Sequence, residues 1–201
     1  CLRDDDNYWG NIFFSEIMPS CRTFVIGESK NEIFYHNFTY GGYEGLTVEN
    51  GAENAYLIGH GVDSGEFSAA FYGDCTVTLV NTQLVNLNGQ EMKYIYVHDD
   101  FTGSIMFRNL ACWGSTRNAI LKEGAGKLSI DGGLMIAAGR PMCNLVGGDM
   151  SVNSLINMSR TKDYEIEESA SSLHISGNIY ASGMKIGNDS GVSVTGSDIE
   201  K

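Results

Sequence analysis

Ser104-Ile105-Met106-Phe107, Arg117-Asn118-Ala119-Ile120-Leu121 and Gly124-Ala125-Gly126 are followed by a second copy of the same pattern, Lys127-Leu128-Ser129-Ile130, Arg140-Pro141-Met142-Cys143 and Gly147-Gly148. The repeating unit is about 23 residues long, which is a period typical of solenoids. In a solenoid each coil buries its apolar face against the next coil and not within itself. The stretch therefore predicts a solenoid for the chain around it.

The same unit extends in both directions as short segments with apolar residues at i and i+2. These pairs are Phe24/Ile26, Ile33/Tyr35, Ala55/Leu57, Val77/Leu79, Ile105/Phe107, Leu128/Ile130, Met150/Val152, Leu173/Ile175 and Val192/Val194. A second strand is predicted in most coils, near Leu46/Val48, Phe67/Ala69, Tyr94/Tyr96, Ala119/Leu121, Met142/Cys143, Tyr164/Ile166 and Met184/Ile186. Alternation with period 2 indicates β-strands, and no segment has the apolar face of an amphipathic helix.

Glycine and asparagine stand at the joints between these strands, where sharp corners require a positive φ. We expect an asparagine ladder at one corner, drawn from Asn81, Asn86, Asn88 and Asn109. Residues 1–21 do not fit the repeat, because they are acidic at first and then aromatic and apolar. We therefore predict two parts: an N-terminal cap over 1–21 and an all-β, single-stranded parallel β-helix of about eight coils over 22–201.

On this repeat spacing, and on phrases such as Gly45-Leu46-Thr47-Val48-Glu49-Asn50 and Gly191-Val192-Ser193-Val194, the chain resembles the right-handed parallel β-helix of the pectin-lyase-like superfamily. The resemblance covers Arg22 to about Ile199. It implies an extracellular or cell-surface location and a long glycan as the partner. A fold alone does not establish a function, so the site must be argued from residues.

Composition excludes two classes of partner. The chain carries 13 Lys and Arg against 25 Asp and Glu, a net charge of −12. A field of this sign opposes nonspecific binding to nucleic acid and to anionic lipid. Cys1 followed by Asp4-Asp5-Asp6 resembles a bacterial lipoprotein after signal cleavage, so the membrane contact we expect is a lipid on Cys1. The five cysteines are unevenly spaced, which favours buried free thiols over a disulfide framework or zinc.

Cationic residues recur once per coil before the second strand: Lys93, Arg117, Arg140, Lys162 and Lys185. Equivalent residues of a parallel β-helix stack about 4.8 Å apart. One interpretation is a solvated row balanced by acidic neighbours. The other is a track for an anionic polymer, with Tyr94 and Tyr96 stacking on sugar rings and a longer loop, Leu87 to Gly103, shaping a cleft.

A polysaccharide lyase needs a cation, usually Ca²⁺, to neutralise the substrate carboxylate and a base to remove the α-proton. Asp99 and Asp100, with Glu123 one coil further on, are candidates for the metal ligands and for catalysis, and Lys122 is a candidate base. A glycoside hydrolase would instead need two carboxylates across the scissile bond. The Gly59-His60-Gly61 triplet matches a polygalacturonase motif but precedes the aspartate pair, in the opposite order to that family, and we interpret it as a chance match.

The sequence thus predicts a secreted or surface β-helix that binds, and in an enzymatic version cleaves, an acidic polysaccharide. The competing hypothesis is a noncatalytic structural or adhesive module of a larger surface protein or phage tail spike. The two differ in their surfaces. A binding face predicts a loop over the cationic row, whereas a rod predicts an exposed apolar stripe for self-association along its faces or ends.

Overall fold

The computed structural model is an all-β parallel solenoid of about six turns, which confirms the predicted fold class. It describes residues 12–63, 65–86, 92–114, 116, 118–136, 142–158, 164–180, 186–188 and 191–197. The turns are fewer than the eight coils predicted. The first sheet and the longest path of the second sheet nevertheless contain eight strands each.

The strands are β1 (Arg22–Ile26), β2 (Ser29–Lys30), β3 (Ile33–Tyr35), β4 (Phe38–Tyr40), β5 (Glu44–Val48), β6 (Ala52–Glu53), β7 (Ala55–Ile58), β8 (Gly61–Asp63), β9 (Phe67–Phe71), β10 (Thr76–Val80), β11 (Gln83–Asn86), β12 (Lys93–Val97), β13 (Ser104–Gly114), β14 (Ile120–Lys122), β15 (Lys127–Met135), β16 (Cys143–Leu145), β17 (Gly148–Asn157), β18 (Tyr164–Ile166), β19 (Ala170–Ser176), β20 (Ile179–Tyr180), β21 (Ile186–Asn188) and β22 (Ser193–Thr195). The pairings between coils are parallel, as the repeat predicts.

The strands form three faces around one core. The first sheet has the order β1-β5-β9-β12-β14-β16-β18-β21. The second face has the order β22-β19-β17-β15-β13-β10-β7-β3. The third face consists of β4, β8, β11, the last residues of β13, β15 and β17, and β20, which pair in the same parallel register. A two-stranded sheet, β2-β6, lies apart from these faces.

One row of left-handed residues makes the corner between the second and third faces. The row consists of His36, Gly59, Asn81, Asn109, Gly132, Ser154 and Gly177, with φ between 52° and 74°. Asn109 Nδ2 donates to Asn81 Oδ1 at 2.8 Å, which confirms the predicted ladder for this pair. Asn86 instead lies in β11 and is buried, and Asn88 lies outside the described residues.

The direction of side chains in the first sheet differs from the simple alternation predicted. At the entry to three of its strands two consecutive residues are buried, namely Ser68 and Ala69, Tyr94 and Ile95, and Ala119 and Ile120. The inward and outward alternation of side chains is therefore shifted by one residue at this corner. In the rest of the strand, residues that strict alternation from the first position would place outside point inward, and the others point outward. In the first coil, likewise, Phe34 pairs with the buried Leu57, and the predicted inner pair Ile33/Tyr35 is exposed at 69% and 66%.

The segment predicted as a cap is described from residue 12 onward. It forms a π-helical turn, Phe13–Ile17, and a 3-10 turn, Met18–Ser20. Its last turn lies against the side of the solenoid, at a pocket of about 180 Å³. The pocket is lined by Met18, Pro19, Gly42, Tyr43, Glu66 and Met92. Coverage of the open solenoid end by residues 1–21 stays a prediction.

Cys75, Cys112 and Cys143 are free and buried, as predicted, and Cys21 is free and half-buried. Cys1 lies outside the described residues, so a lipid at this position stays a prediction. Among the described residues, no helix has the length and apolar character needed to span a bilayer.

Candidate functional site

The outer side of the first sheet carries a group of rings in its N-terminal coils, which we call the aromatic patch: Tyr43, Phe67, Tyr72, Tyr96 and His98. Phe67 and Tyr96 lie on the neighbouring strands β9 and β12. Tyr96 is in register with Ala70 on one side and Leu121 on the other, and Ala70 is in register with Thr47, so the positions on the N-terminal side of this tyrosine carry small side chains. The large rings thus have room to lie over the sheet.

The rings of the aromatic patch contact one another in defined geometries. Phe67 and Tyr96 are stacked, with centroids 4.5 Å apart and planes 21° apart. Tyr43 meets Phe67 edge to face at 5.3 Å, and Tyr72 lies 4.9 Å from His98. Lys93 Nζ is 5.3 Å from the Phe67 centroid, which is a cation–π distance. The patch is therefore a packed platform and not a set of independent side chains.

A buried carboxylate, Glu44, fixes one side of the platform. Its side chain is 2% exposed and accepts hydrogen bonds from the Tyr72 hydroxyl and the Thr47 hydroxyl, both at 2.5 Å. Arg22 Nε lies 3.2 Å from the same carboxylate, and Arg22 Nη1 lies 2.7 Å from Glu49. Burial first, and then the hydrogen bond to Glu44, raise the pKa of Tyr72 well above its ordinary value of 10. Tyr72 consequently remains a donor at neutral pH.

A second carboxylate holds the stacked pair from the other side. The Tyr96 hydroxyl donates to Glu123 Oε2 at 3.0 Å, one coil further on. Burial, followed by this hydrogen bond, raises the pKa of Tyr96 well above 10. Glu123 accepts this bond, and the ligand atoms that group with those of Asp99 and Asp100 come from His98. A role of Glu123 as a metal ligand stays a prediction.

The two aspartates instead meet His98. His98 Nδ1 lies 2.9 Å from Asp99 Oδ1 and 2.8 Å from Asp100 Oδ1, and the backbone N–H of Gly73 donates to Asp100 at 3.1 Å. Slight burial acts to raise the pKa of Asp100, but the hydrogen bonds from Gly73 and His98 outweigh it and lower the pKa below its ordinary value. The ligand atoms of the three residues lie within 4.8 Å of one another, close enough to hold one cation. A histidine nitrogen suits a transition metal better than Ca²⁺, which prefers oxygen ligands.

The structure corrects the predicted role of Tyr94. This side chain points into the core, has no exposed surface, and donates its hydroxyl proton to the carbonyl of Ile136 at 3.3 Å. It therefore has no surface to offer to a sugar ring. The cause is the shift in alternation at the entry to β12, which turns Tyr94 inward and leaves Tyr96 outward.

Lys122, the predicted base, is also an interior residue. It occupies the inner row of the first sheet between Val97 and Leu145 and has no exposed surface. Its Nζ donates to the carbonyls of Gly124 and Gly147, both at 2.7 Å. Burial lowers its pKa to about 8. A base role toward a substrate outside the solenoid is therefore contradicted, because the side chain does not reach the surface.

Of the predicted cationic row, Lys93 lies at the edge of the aromatic patch, above Phe67. Arg117, Arg140, Lys162 and Lys185 lie outside the described residues, so the row as a whole stays a prediction. The predicted loop from Leu87 to Gly103 is described from residue 92 onward, where it contains β12 and the turn at His98.

The sequence analysis did not predict Arg22, Glu44 and Phe67 as site residues, although their spacing in the sequence indicates that they lie side by side. These three residues and Lys93 occupy the same register position on β1, β5, β9 and β12. Their spacing is close to the coil period, so an alignment of coils by strand entry would have placed them side by side.

Comparisons of the chain with models of protein families, with curated proteins and with solved structures found no match in any of the three. The function is therefore argued from the geometry of this chain.

Proposed function

We propose that the protein is an extracellular or cell-surface β-helix of the pectin-lyase-like type that binds a polysaccharide along the aromatic patch. The half-buried ring of Tyr96, stacked on the buried Phe67 (8% exposed) and flanked by Tyr72 and His98, carries the proposal. Sugar rings present apolar C–H faces that pack on aromatic rings, and their hydroxyls donate to carboxylates. The patch offers both groups on the first sheet, with Asp99 and Asp100 as exposed carboxylates beside His98.

Its rigidity also supports this function. Glu44 and Glu123 hold the hydroxyls of Tyr72 and Tyr96, so both rings are fixed before any ligand arrives. A platform whose side chains are already ordered loses less conformational entropy on binding. Parallel strands about 4.8 Å apart extend the surface along the solenoid axis, which suits a chain of repeating sugar units.

The charges of the described residues favour a glycan with few negative groups. Arg22 is neutralised by Glu44 and Glu49, and Asp99 and Asp100 are exposed at 76% and 55%. A polyuronate would meet these carboxylates as like charges. The acidic polysaccharide predicted from the sequence would depend on the four cationic residues outside the described part of the chain.

A second function, the noncatalytic structural or adhesive module, is favoured by one observation. The third face carries an exposed apolar stripe, including Trp113, Ile156 and Ile179, of the kind expected for a self-associating rod. Binding and adhesion are compatible. A lyase reaction with Lys122 as the base has less support, because this side chain is enclosed in the core.

Affinity electrophoresis through gels that contain xylan, glucomannan, polygalacturonate or alginate tests this proposal. We expect retention by a neutral polysaccharide, and we expect Tyr96→Ala to weaken it about tenfold, since a stacked ring contributes about 1.4 kcal/mol. Tyr56→Ala, which removes a half-exposed ring from the second face, is the matched control and should leave retention unchanged.

Retention by polygalacturonate alone would shift the site to the cationic row. The absence of retention in all four gels would remove the proposal. Ultraviolet absorbance of unsaturated products in the same samples reports whether any polyuronate is cleaved by a lyase reaction.

A further inference from the structure

Among the described residues, the outer side of the third face carries almost no charge, and we call it the uncharged face. Its outward positions, coil by coil, are Phe38 and Tyr40, Gly61 and Asp63, Gln83 and Val85, Ala111 and Trp113, Leu134 and Ile136, Ile156 and Met158, and Ile179. Asp63 is the one charged residue among these thirteen positions, although 19% of the chain is charged. The contrast marks this side as different from the rest of the surface.

The apolar side chains of the uncharged face are aligned and exposed. Ala111, Leu134, Ile156 and Ile179 are partners in register on successive coils. Eleven large apolar side chains are exposed in the described part of the chain, and seven of them lie on this face. The seven are Phe38 (66%), Tyr40 (54%), Trp113 (40%), Ile136 (37%), Ile156 (44%), Met158 (47%) and Ile179 (65%).

The exposed area matches what one subunit contributes to a stable dimer. With about 200 Å² for a fully exposed large side chain, the seven residues present roughly 700 Å². The largest apolar patch of a typical monomer is about 300–600 Å². A standard interface buries about 800 Å² on each partner. The exposed apolar area of the uncharged face is therefore larger than the largest patch of a typical monomer, and it approaches the area that one partner buries in a standard interface.

An antiparallel arrangement brings the same patch of the two copies together. If the two-fold axis passes Trp113, the first strand of the third face meets the seventh and the second meets the sixth. Phe38 then lies opposite Ile179, Gly61 opposite Ile156 and Asp63 opposite Met158. The contact is apolar except at Asp63, and both subunits use the same surface, as an isologous interface requires.

The area points to a second copy as the occupant, and the lack of charge on this face permits one. Two chains that each carry −12 repel one another through most of their surfaces. The uncharged face lets them approach with little direct repulsion. We propose that the uncharged face is the interface of an antiparallel homodimer, with Trp113 at its centre. This inference does not depend on polysaccharide binding, since the aromatic patch lies on a different face.

Sedimentation equilibrium of the full chain, from about 1 to 100 μM, tests the proposal. We expect a species of twice the 21.9 kDa chain mass. We expect Ile156→Asp to raise the dissociation constant at least a hundredfold, because it buries an unpaired charge in each half of the interface. Ile33→Asp, which changes a 69% exposed isoleucine on the second face, is the matched control and should leave the dimer intact.

A wild-type monomer at 100 μM would overturn the proposal, as would an Ile33→Asp variant that dissociates while Ile156→Asp does not. Circular dichroism checks that both variants fold. If Ile156→Asp does not fold, Trp113→Cys provides a second test, because two copies of this residue meet at the two-fold axis. Sheets packed face to face lie about 10 Å apart, which is too far for a disulfide but within reach of a bis-maleimide. This reagent should link the variant into a dimer and leave the wild type, treated in the same way, unlinked. A variant that stays monomeric after this treatment would contradict the interface.

Discussion

The aromatic patch and the uncharged face lie on the same coils, but their side chains are held in opposite ways. In the patch, Tyr72 and Tyr96 each donate to a carboxylate, and Glu44 receives three polar neighbours. On the uncharged face, Ile136 and Ile156 offer only apolar contact. Directional hydrogen bonds fix the positions of individual atoms, whereas the free energy gained at an apolar surface is proportional to the area buried.

The difference shows how one repeat supports two kinds of recognition. The backbone register is nearly the same behind both faces, so the ligand class depends on the residues that fill the outer rows. Fixed rings beside carboxylates suit a small polar unit that recurs, such as a sugar. A long row that is almost free of charge suits another protein surface, and an exposed apolar area close to that of a standard interface favours a second copy.

The comparison extends to the interior, where the largest effect is expected. Lys122 lies behind the first sheet, whereas Cys112 and Met135 lie behind the uncharged face. Burial lowers the pKa of Lys122 from 10.5 to about 8, so the unfolded chain binds more protons between these values and stability rises with pH there. Relative to Lys122→Met, the unfolding free energy of the wild type should rise by about 2–3 kcal/mol between pH 7 and pH 10.

Urea unfolding of both proteins at each pH measures this shift. The difference between the two proteins cancels the tyrosines and thiols that also titrate in this range. An unchanged difference would mean that Lys122 is not enclosed as described.

A smaller loss is expected when the patch loses its buried carboxylate. Glu44→Gln keeps the size of the side chain but removes the charge that Arg22, Thr47 and Tyr72 face. Breaking a buried pair costs about 3–5 kcal/mol, and because Arg22 is 44% exposed we expect about 2 kcal/mol of unfolding free energy. Dimerisation should be unaffected. Glu49→Gln, at the 41% exposed second partner of Arg22, is the matched control, and an equal loss there would contradict the distinction.

The smallest effect is expected on the second face, which belongs to neither region. Ser151 donates to Ser129 at 3.0 Å between coils, in a half-buried position. Ser151→Ala should lower the unfolding free energy by about 0.5 kcal/mol and leave both retention and dimer mass unchanged. A change in either property would show that the two proposed surfaces extend beyond the residues assigned to them.

Much of the fold could be predicted because a solenoid repeats its signal. Pairs such as Val77/Leu79 and Leu128/Ile130 recur at the coil period and point inward in register, as expected. The left-handed corner at Asn81 and Asn109 also follows from residue type. Each of these features depends on local sequence, so no contact between distant residues had to be known.

The site was harder to predict, since it depends on side-chain direction. The corner before β12 turns both Tyr94 and Ile95 inward, and the corner before β14 does the same with Ala119 and Ile120. This shift by one residue places Lys122 inside and leaves Tyr96 outside, which strand alternation alone cannot reveal. The bond between Glu44 and Tyr72 joins residues 28 apart, across a coil boundary of variable length.

The most direct test of the aromatic patch uses a double variant, Tyr72→Ala with Tyr96→Ala. Its retention is measured in the polysaccharide gel that retains the wild type. The control is Tyr35→Ala with Tyr56→Ala, which removes the same two side chains from the second face. We predict that the patch variant migrates as it does in a gel without polysaccharide, while the control migrates with the wild type. Equal retention of the two double variants would contradict binding at the patch.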